Sequence, residues 1–142
     1  MAVVIQPLLE AQAAGVAYSV HPLTGRATQV MINAVTGLAA MLVDGRAMPD
    51  QYVVEIDQQG QPMRISERTV GGQTQALRVT GQGLQPMPLS DEAAGRNTLS
   101  DDRLFALARA AKLIEQAVGH PVDLEWLYDE RGPSPVWLGL GD

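Results

Sequence analysis

The chain has no cysteine, so a disulfide framework, a thiolate zinc site and a cysteine nucleophile are all excluded. Lysine is almost missing as well: nine arginines and one lysine, Lys112, make up the ten basic residues, against 16 acidic ones. The net charge of −6 and a pI near 4.8 leave no basic field to grip a nucleic-acid backbone or an anionic membrane. No apolar run approaches the roughly 18 residues of a membrane span. The apolar opening MAVVIQPLLE carries neither a basic flank nor a cleavage pattern. The P-loop and GxGxxG patterns are both missing, and no Ser-His-Asp constellation can be assembled with a spacing argument behind it. A cytoplasmic protein with no nucleic-acid and no membrane partner is expected.

What is present is enough for one compact domain. A length of 142 residues with 46% hydrophobic content supports a single core and argues against disorder as the main state. The first third alternates β-branched and small apolar residues with turn residues. It predicts strands near 2–7, 15–21 and 28–35, broken by Pro7, by His21-Pro22 and by the Thr24-Gly25 turn. The Leu and Ala content of Gly37 to Val43 favours a short helix. Gln51–Ile56 reads as a strand, Asp57 to Gly60 as a turn, and the chain to Leu89 as short strands separated at Gly71-Gly72, Gly81 and Gly83.

Residues 90–98 are polar and loop-like. Beyond them, Ser100 can cap a helix whose first turn holds Asp101 and Asp102, and Leu104, Leu107, Ala108, Ala111, Ile114 and Val118 recur at helical spacing. Gly119 and Pro121 end it. A strand at Val122–Leu127 and a last one at Val136–Leu138 follow. Strands with one long and one short helix make the fold class α+β, mainly an antiparallel sheet.

The most informative segment for chemistry is Asp123-Leu124-Glu125. In a strand the two acids point to one face and Leu124 to the other. Two carboxylates held side by side suit Mg²⁺, which takes a few carboxylates and lets phosphate oxygens complete its shell. The alternative is the solvated face of an edge strand. His21 and His120 each precede a proline and read most simply as turn residues. Thr69-Val70-Gly71-Gly72-Gln73-Thr74-Gln75-Ala76 is similar to the TxGGxTxH loop that carries a phosphorylated histidine in certain phosphotransferases. Ala76 holds the histidine position, so the segment reads as a β-turn.

Four segments in order, VVIQPLLEAQAAGVAYSVHPLTGR, VMINAVTGL, DGRAMPDQYVV and LSDDRLFALARAAKLIEQAVGHPVDLEW, resemble the second half of the ATP-binding domain of phosphoenolpyruvate synthase (pyruvate, water dikinase) and its relatives pyruvate phosphate dikinase and rifampicin phosphotransferase. The resemblance covers roughly residues 2–138. It implies the C-terminal lobe of an ATP-grasp domain, with ATP and Mg²⁺ as ligands. Gln6, Pro7 and Leu8 would lie in the hinge that meets the adenine, and Asp123 and Glu125 would lie by the metal and phosphates. Gly15, Pro22, Thr24 and Gly25 fall on the family's GVxFTxxPxTG segment. Asn33, Gly37 and Leu38 fall on NAxxGLGE, and Gly45, Pro49, Asp50 and Tyr52 on SGxxxPDxYVV. The bland role for the glycines is in turns, and for Tyr52 in the core.

The departures are specific. The glutamate of GLGE is Ala40, His21 stands where a shorter polar residue is usual, and Leu140 is read at the glutamine of the family's closing QxRP strand, which has no arginine here. The lobe carrying the family's phosphate-gripping lysine and arginine precedes this region, and the phosphohistidine and pyruvate domains follow it. The chain alone is therefore not expected to turn over, and no catalytic residue is assigned. It reads as an ATP-binding lobe that needs the N-terminal lobe and a phosphohistidine domain. The other reading is a degenerate, non-catalytic binding module. Lys112 is expected to snorkel at the helix surface, and an exposed lobe interface would favour a homo-oligomer.

Overall fold

A computed structural model describes residues 11–37, 48–73, 75–90, 99–129 and 135–141. Within them an antiparallel sheet of six strands is covered on one face by a helix. The strands are β1 (Ala11–Tyr18), β2 (Gln29–Thr36), β3 (Asp50–Ile56), β4 (Pro62–Thr69), β7 (Asp123–Asp129) and β8 (Val136–Gly141), in the order β4-β3-β2-β1-β7-β8. Strands β5 (Gln75–Thr80) and β6 (Gly83–Pro88) form a separate hairpin. The helix α1 (Asp101–Val118) packs across β1 to β4. The fold class is α+β, as expected. The predicted first strand lies outside the described residues, as do the short helix expected at 37–43 apart from Gly37, which bridges to Leu77, and the loop expected at 90–98 apart from Ser90.

The helix forms where its signals place it. Ser100 Oγ accepts from the Arg103 N–H at 3.4 Å, and Gly119 takes the left-handed conformation (φ 85°) that ends the helix through a bond to the Glu115 carbonyl. Its buried stripe, Leu104, Leu107, Ala108 and Ala111, meets Ala13 and Ala17 of β1, Val30, Ile32 and Ala34 of β2, and Tyr52 and Val54 of β3. The central strand is built of small residues. A Cβ at Gly15 would overlap the Asn33 carbonyl oxygen and lie 3.0 Å from Trp126 Cζ2. Glycine at that position lets the fully buried Trp126 indole lie beside β1.

β1 begins four residues earlier than the sequence suggests and stops at Tyr18. Ala11 to Ala14 favour helix by themselves, but they pair with β2 on one side and β7 on the other, and that pairing decides. β8 likewise runs past Leu138 to Gly141 because Gly139 and Gly141 pair with Glu125 and Asp123. The Gly71-Gly72 segment is the irregular connection from β4 to β5 rather than a hydrogen-bonded turn. Its Gln73 side chain accepts from Thr36 N (2.9 Å) and donates to the carbonyls of Thr36 (2.8 Å) and Gln75 (2.7 Å), fastening the hairpin to the end of β2.

Candidate functional site

Strand alternation divides β7 between two environments. Leu124, Trp126 and Tyr128 are buried in the helix-covered core. Asp123 and Glu125 point to the other face, half-buried and exposed respectively. The register fixes their neighbours. Asp123 lies opposite Tyr18 on β1 and Gly141 on β8, and Glu125 lies opposite Val16 and Gly139. One strand further, Val16 pairs with Asn33, so Asn33 shares the row of Glu125. The Asn33 Oδ1 atom is buried and makes no hydrogen bond. Burial, and after it the negative charge of Asp123, hold the Tyr18 phenol above its ordinary pKa of 10.0.

The Glu125 carboxylate leans towards β8, its Oε2 lying 3.3 Å from where a Cβ at residue 139 would stand. The Cα atoms of the two acids are about 7 Å apart by strand geometry, so their carboxylates can share one ion. Among the described residues no group of three or more His, Asp or Glu side chains gathers around a common point. Among the described residues Asp123 and Glu125 thus bring two carboxylates to this face. That suits Mg²⁺, which is commonly held by one or two carboxylates while waters and phosphate oxygens fill the other positions. A bound Mg²⁺ would supply charge neutralisation for a phosphate chain lying on this face.

The remaining sequence candidates separate cleanly. Gln6, Pro7, Leu8 and Ala40 lie outside the described residues. Leu140 pairs with Leu124 and so belongs to the helix-side face. The residue of β8 that lies opposite Glu125 is Gly139. Ala76 is buried in β5 opposite Met87 and offers no phosphoacceptor.

His21 is a turn residue, as its proline neighbour suggested. Its Nδ1 accepts from the N–H groups of Leu23 and Thr24, both at 3.2 Å. An aspartate or asparagine at this place would accept through Oδ in the same way. His120 is exposed and lines a groove of about 360 Å³ with Val20, Ala27, Glu115 and Pro121.

Asp50 and Tyr52 are structural. The buried Asp50 carboxylate accepts from Gly71 N at 2.8 Å and from the Tyr52 hydroxyl at 3.1 Å. Lys112 does not snorkel: it is 5% exposed, with Nζ 3.3 Å from Glu115 Oε1. Tyr18, Asn33, Gly139 and Gly141 were missed as site neighbours. Their signal was two-residue alternation on three separate strands, which names a shared face only once the pairing register is known.

The chain is 28% identical over 137 residues to the probable phosphoenolpyruvate synthase of Pyrococcus abyssi, covering 92% of this chain and 16% of that protein. It is 31% identical over 127 residues to the probable phosphoenolpyruvate synthase of Archaeoglobus fulgidus, with 89% and 16% covered. It is 30% identical over 133 residues to the rifampicin phosphotransferase of a Streptomyces species, with 93% and 15% covered. The chain thus spans about a sixth of the length of these relatives. Residues 1–138 match the family model described as pyruvate phosphate dikinase, AMP/ATP-binding domain, and the chain belongs to that family.

Proposed function

We propose that this chain is the carboxylate-bearing, ATP-grasp-like lobe of the ATP-binding domain in a phosphoenolpyruvate synthase-like phosphotransferase. The observation that carries the reading is the pair Asp123 and Glu125, adjacent on the sheet face away from the helix, within a domain of an AMP/ATP-binding family. In this reading Asp123 and Glu125 hold Mg²⁺ and through it the phosphates, while Gln6, Pro7 and Leu8 seat the adenine. Tyr18 borders Asp123, and Asn33 presents an unpaired amide oxygen along the row of Glu125.

Phosphoryl transfer depends on positioning and on cations that neutralise the moving group. Strands β7 and β8 bring no arginine or lysine to this face, and in this reading an N-terminal lobe supplies the clamp. A phosphohistidine domain would receive the phosphoryl group before it passes to an acceptor such as pyruvate. The lobe by itself is expected to be inactive in the cytoplasm-type, membrane-free setting its composition suggests. Titration calorimetry of Mg·ATP into a protein joining this chain to that lobe tests the reading. Heat of binding that depends on the divalent ion is expected, and its absence would refute it.

A second reading, a degenerate lobe kept for binding or interaction alone, is favoured by Gly139 and Gly141, which put no side chain across from the carboxylates. In that case Asp123→Ala and Glu125→Ala would leave the activity of the longer protein unchanged.

A further inference from the structure

Between Val20 and Thr28, His21 is the only buried residue, 7% exposed, while residues 22–28 are all exposed. Its Nδ1 atom accepts from the N–H groups of Leu23 and Thr24, both at 3.2 Å. Among the described residues no other acceptor serves either N–H. The chain closes around the ring as well. The His21 N–H donates to the Arg26 carbonyl at 3.2 Å, and the Gly25 N–H to the His21 carbonyl at 2.8 Å, with Gly25 in the left-handed conformation (φ 70°).

Both flanks of this loop are fixed. Before it, the Ser19 N–H donates to the Val122 carbonyl (3.0 Å) and Ser19 Oγ accepts from the Val122 N–H (2.8 Å). After it, the Ile56 N–H donates to the Thr28 carbonyl at 2.8 Å. What is free to move is the tip between these anchors, which carries Leu23, 87% exposed.

An imidazole nitrogen accepts a hydrogen bond only while it carries no proton, and both nitrogens of an imidazolium are donors. Protonation of Nδ1 would aim a third N–H at the two already there, and turning the ring over would present no acceptor either. The closed loop and a charged His21 therefore exclude each other. Asparagine would accept the same two bonds at any pH, and aspartate down to about pH 4. Histidine is the acceptor that a proton switches off between about pH 5 and 8. A need for an acceptor explains a polar side chain at this place; it does not explain the one that titrates near neutrality.

The charged and titratable groups on the adjoining elements leave the ring to act by itself. They are Arg26 within the loop, Glu55 and Asp57 at the end of β3, Glu115 and His120 at the end of α1, and Asp123 beside Val122. Glu55 accepts from Gln29 Nε2, Asp57 from the N–H groups of Gln59 and Gln61, and Glu115 from Lys112 Nζ. Among the described residues none of these side chains makes a hydrogen bond or ion pair with the His21 ring. The open loop can take up a proton that the closed loop excludes. Closure is thus complete on the alkaline side of the imidazole range and is lost on its acid side.

We propose that His21 is a proton-operated latch on the loop joining β1 to β2. The neutral ring holds residues 21–26 closed, and its protonation as the pH falls from about 8 to about 5 releases them. The motion ends at the Ser19–Val122 and Thr28–Ile56 bonds, so the sheet keeps its form. The latch operates whether or not the face of Asp123 and Glu125 binds a nucleotide.

Hydrogen exchange of the full-length protein, read by mass spectrometry on peptides spanning residues 20–28 and corrected for the intrinsic pH dependence of exchange, tests this at about pH 8 and about pH 5. Loss of two bonds of ordinary net strength should speed exchange at Leu23 and Thr24 by about 30-fold at the lower pH. His21→Asn and His21→Asp, two acceptors that do not titrate in this range, should keep the loop protected at both pH values. His21→Ala should exchange fast at both. His120→Asn, which removes the other histidine, should respond to acid as the unchanged protein does.

Equal corrected rates at the two pH values in the unchanged protein overturn the proposal. So does an acid response that survives in His21→Asn or His21→Asp, or one that disappears in His120→Asn. The two acceptor variants guard against a poor fit of either: one that stays closed at both pH values supports the latch, whereas fast exchange in both at both values would mean that the ring holds the loop by its bulk, and would overturn it.

Discussion

Replacing His21 by alanine should cost the chain about 2 kcal/mol, and replacing it by asparagine almost nothing. The imidazole sits in the connection from β1 to β2 with 7% of its surface exposed. Its Nδ1 accepts from the N–H groups of Leu23 and Thr24, each at 3.2 Å, inside a loop also closed by Gly25 N to the His21 carbonyl at 2.8 Å. Both donors belong to exposed residues, so water can replace the lost acceptor. Each bond is then worth its net value of about 1 kcal/mol rather than the full desolvation penalty.

The sum of about 2 kcal/mol should lower the thermal midpoint of a domain this size by about 6 °C. Asparagine carries an amide oxygen at the place of Nδ1 and can receive the same two N–H groups, so its midpoint should fall by no more than about 2 °C. Thermal unfolding followed by far-UV circular dichroism, checked against urea unfolding, measures both variants. If asparagine is as damaging as alanine, the ring's bulk and not its acceptor nitrogen holds the loop. If alanine is harmless, the two bonds contribute nothing.

Three further outcomes are expected. Gly15→Ala places a methyl group on the Asn33 carbonyl and against Trp126, and should cost about 3 kcal/mol or more in urea unfolding because two central strands must part; a near-neutral result would contradict the close β1–β2 approach. Gln73→Ala removes three hydrogen bonds from a buried side chain, and should speed amide exchange in β5 and β6 by about 30-fold or more, whereas unchanged protection would show that the hairpin is held by other means. Ultraviolet titration should find the Tyr18 phenol ionising above its ordinary 10.0, and Asp123→Asn should bring it part of the way back, since burial is the larger cause. With the folded value raised above the unfolded one, this tyrosine's contribution to stability is complete below pH 10 and is lost as the pH rises through the folded value. A Tyr18 that titrates normally contradicts the packing drawn here.

The helix was legible in detail because its signals are local: a serine cap, acids in the first turn, a 3.6-residue apolar period and a terminal glycine all lie within 20 residues. The Asp123/Glu125 face was equally legible, since alternation alone separates it from Leu124 and Trp126. Strand β1 was cut short because Ala11 to Ala14 become a strand only through partners distant in sequence. Lys112 was misplaced by residue type. It follows Ala108 by one helical turn and so sits on the buried stripe, where its stem packs and its Nζ reaches Glu115. The neighbours of the carboxylates stayed hidden for a further reason. Val16, Asn33 and Gly139 share a row with Glu125 only because four strands pair in one register, and a slip of one residue would have exchanged Gly139 for Leu140.

In the proposed function the metal-phosphate end of a nucleotide lies on the face bearing Asp123 and Glu125. Paramagnetic broadening by Mn·ATP, read on amide signals of this segment isotope-labelled within the full-length protein, locates that end directly. Broadening centred on Asp123, Glu125, Gly139 and Gly141, and abolished by Glu125→Gln with Asp123→Asn, is the expected result. Broadening centred instead on the groove beside Glu115 and His120, or unaffected by the paired substitution, would contradict it.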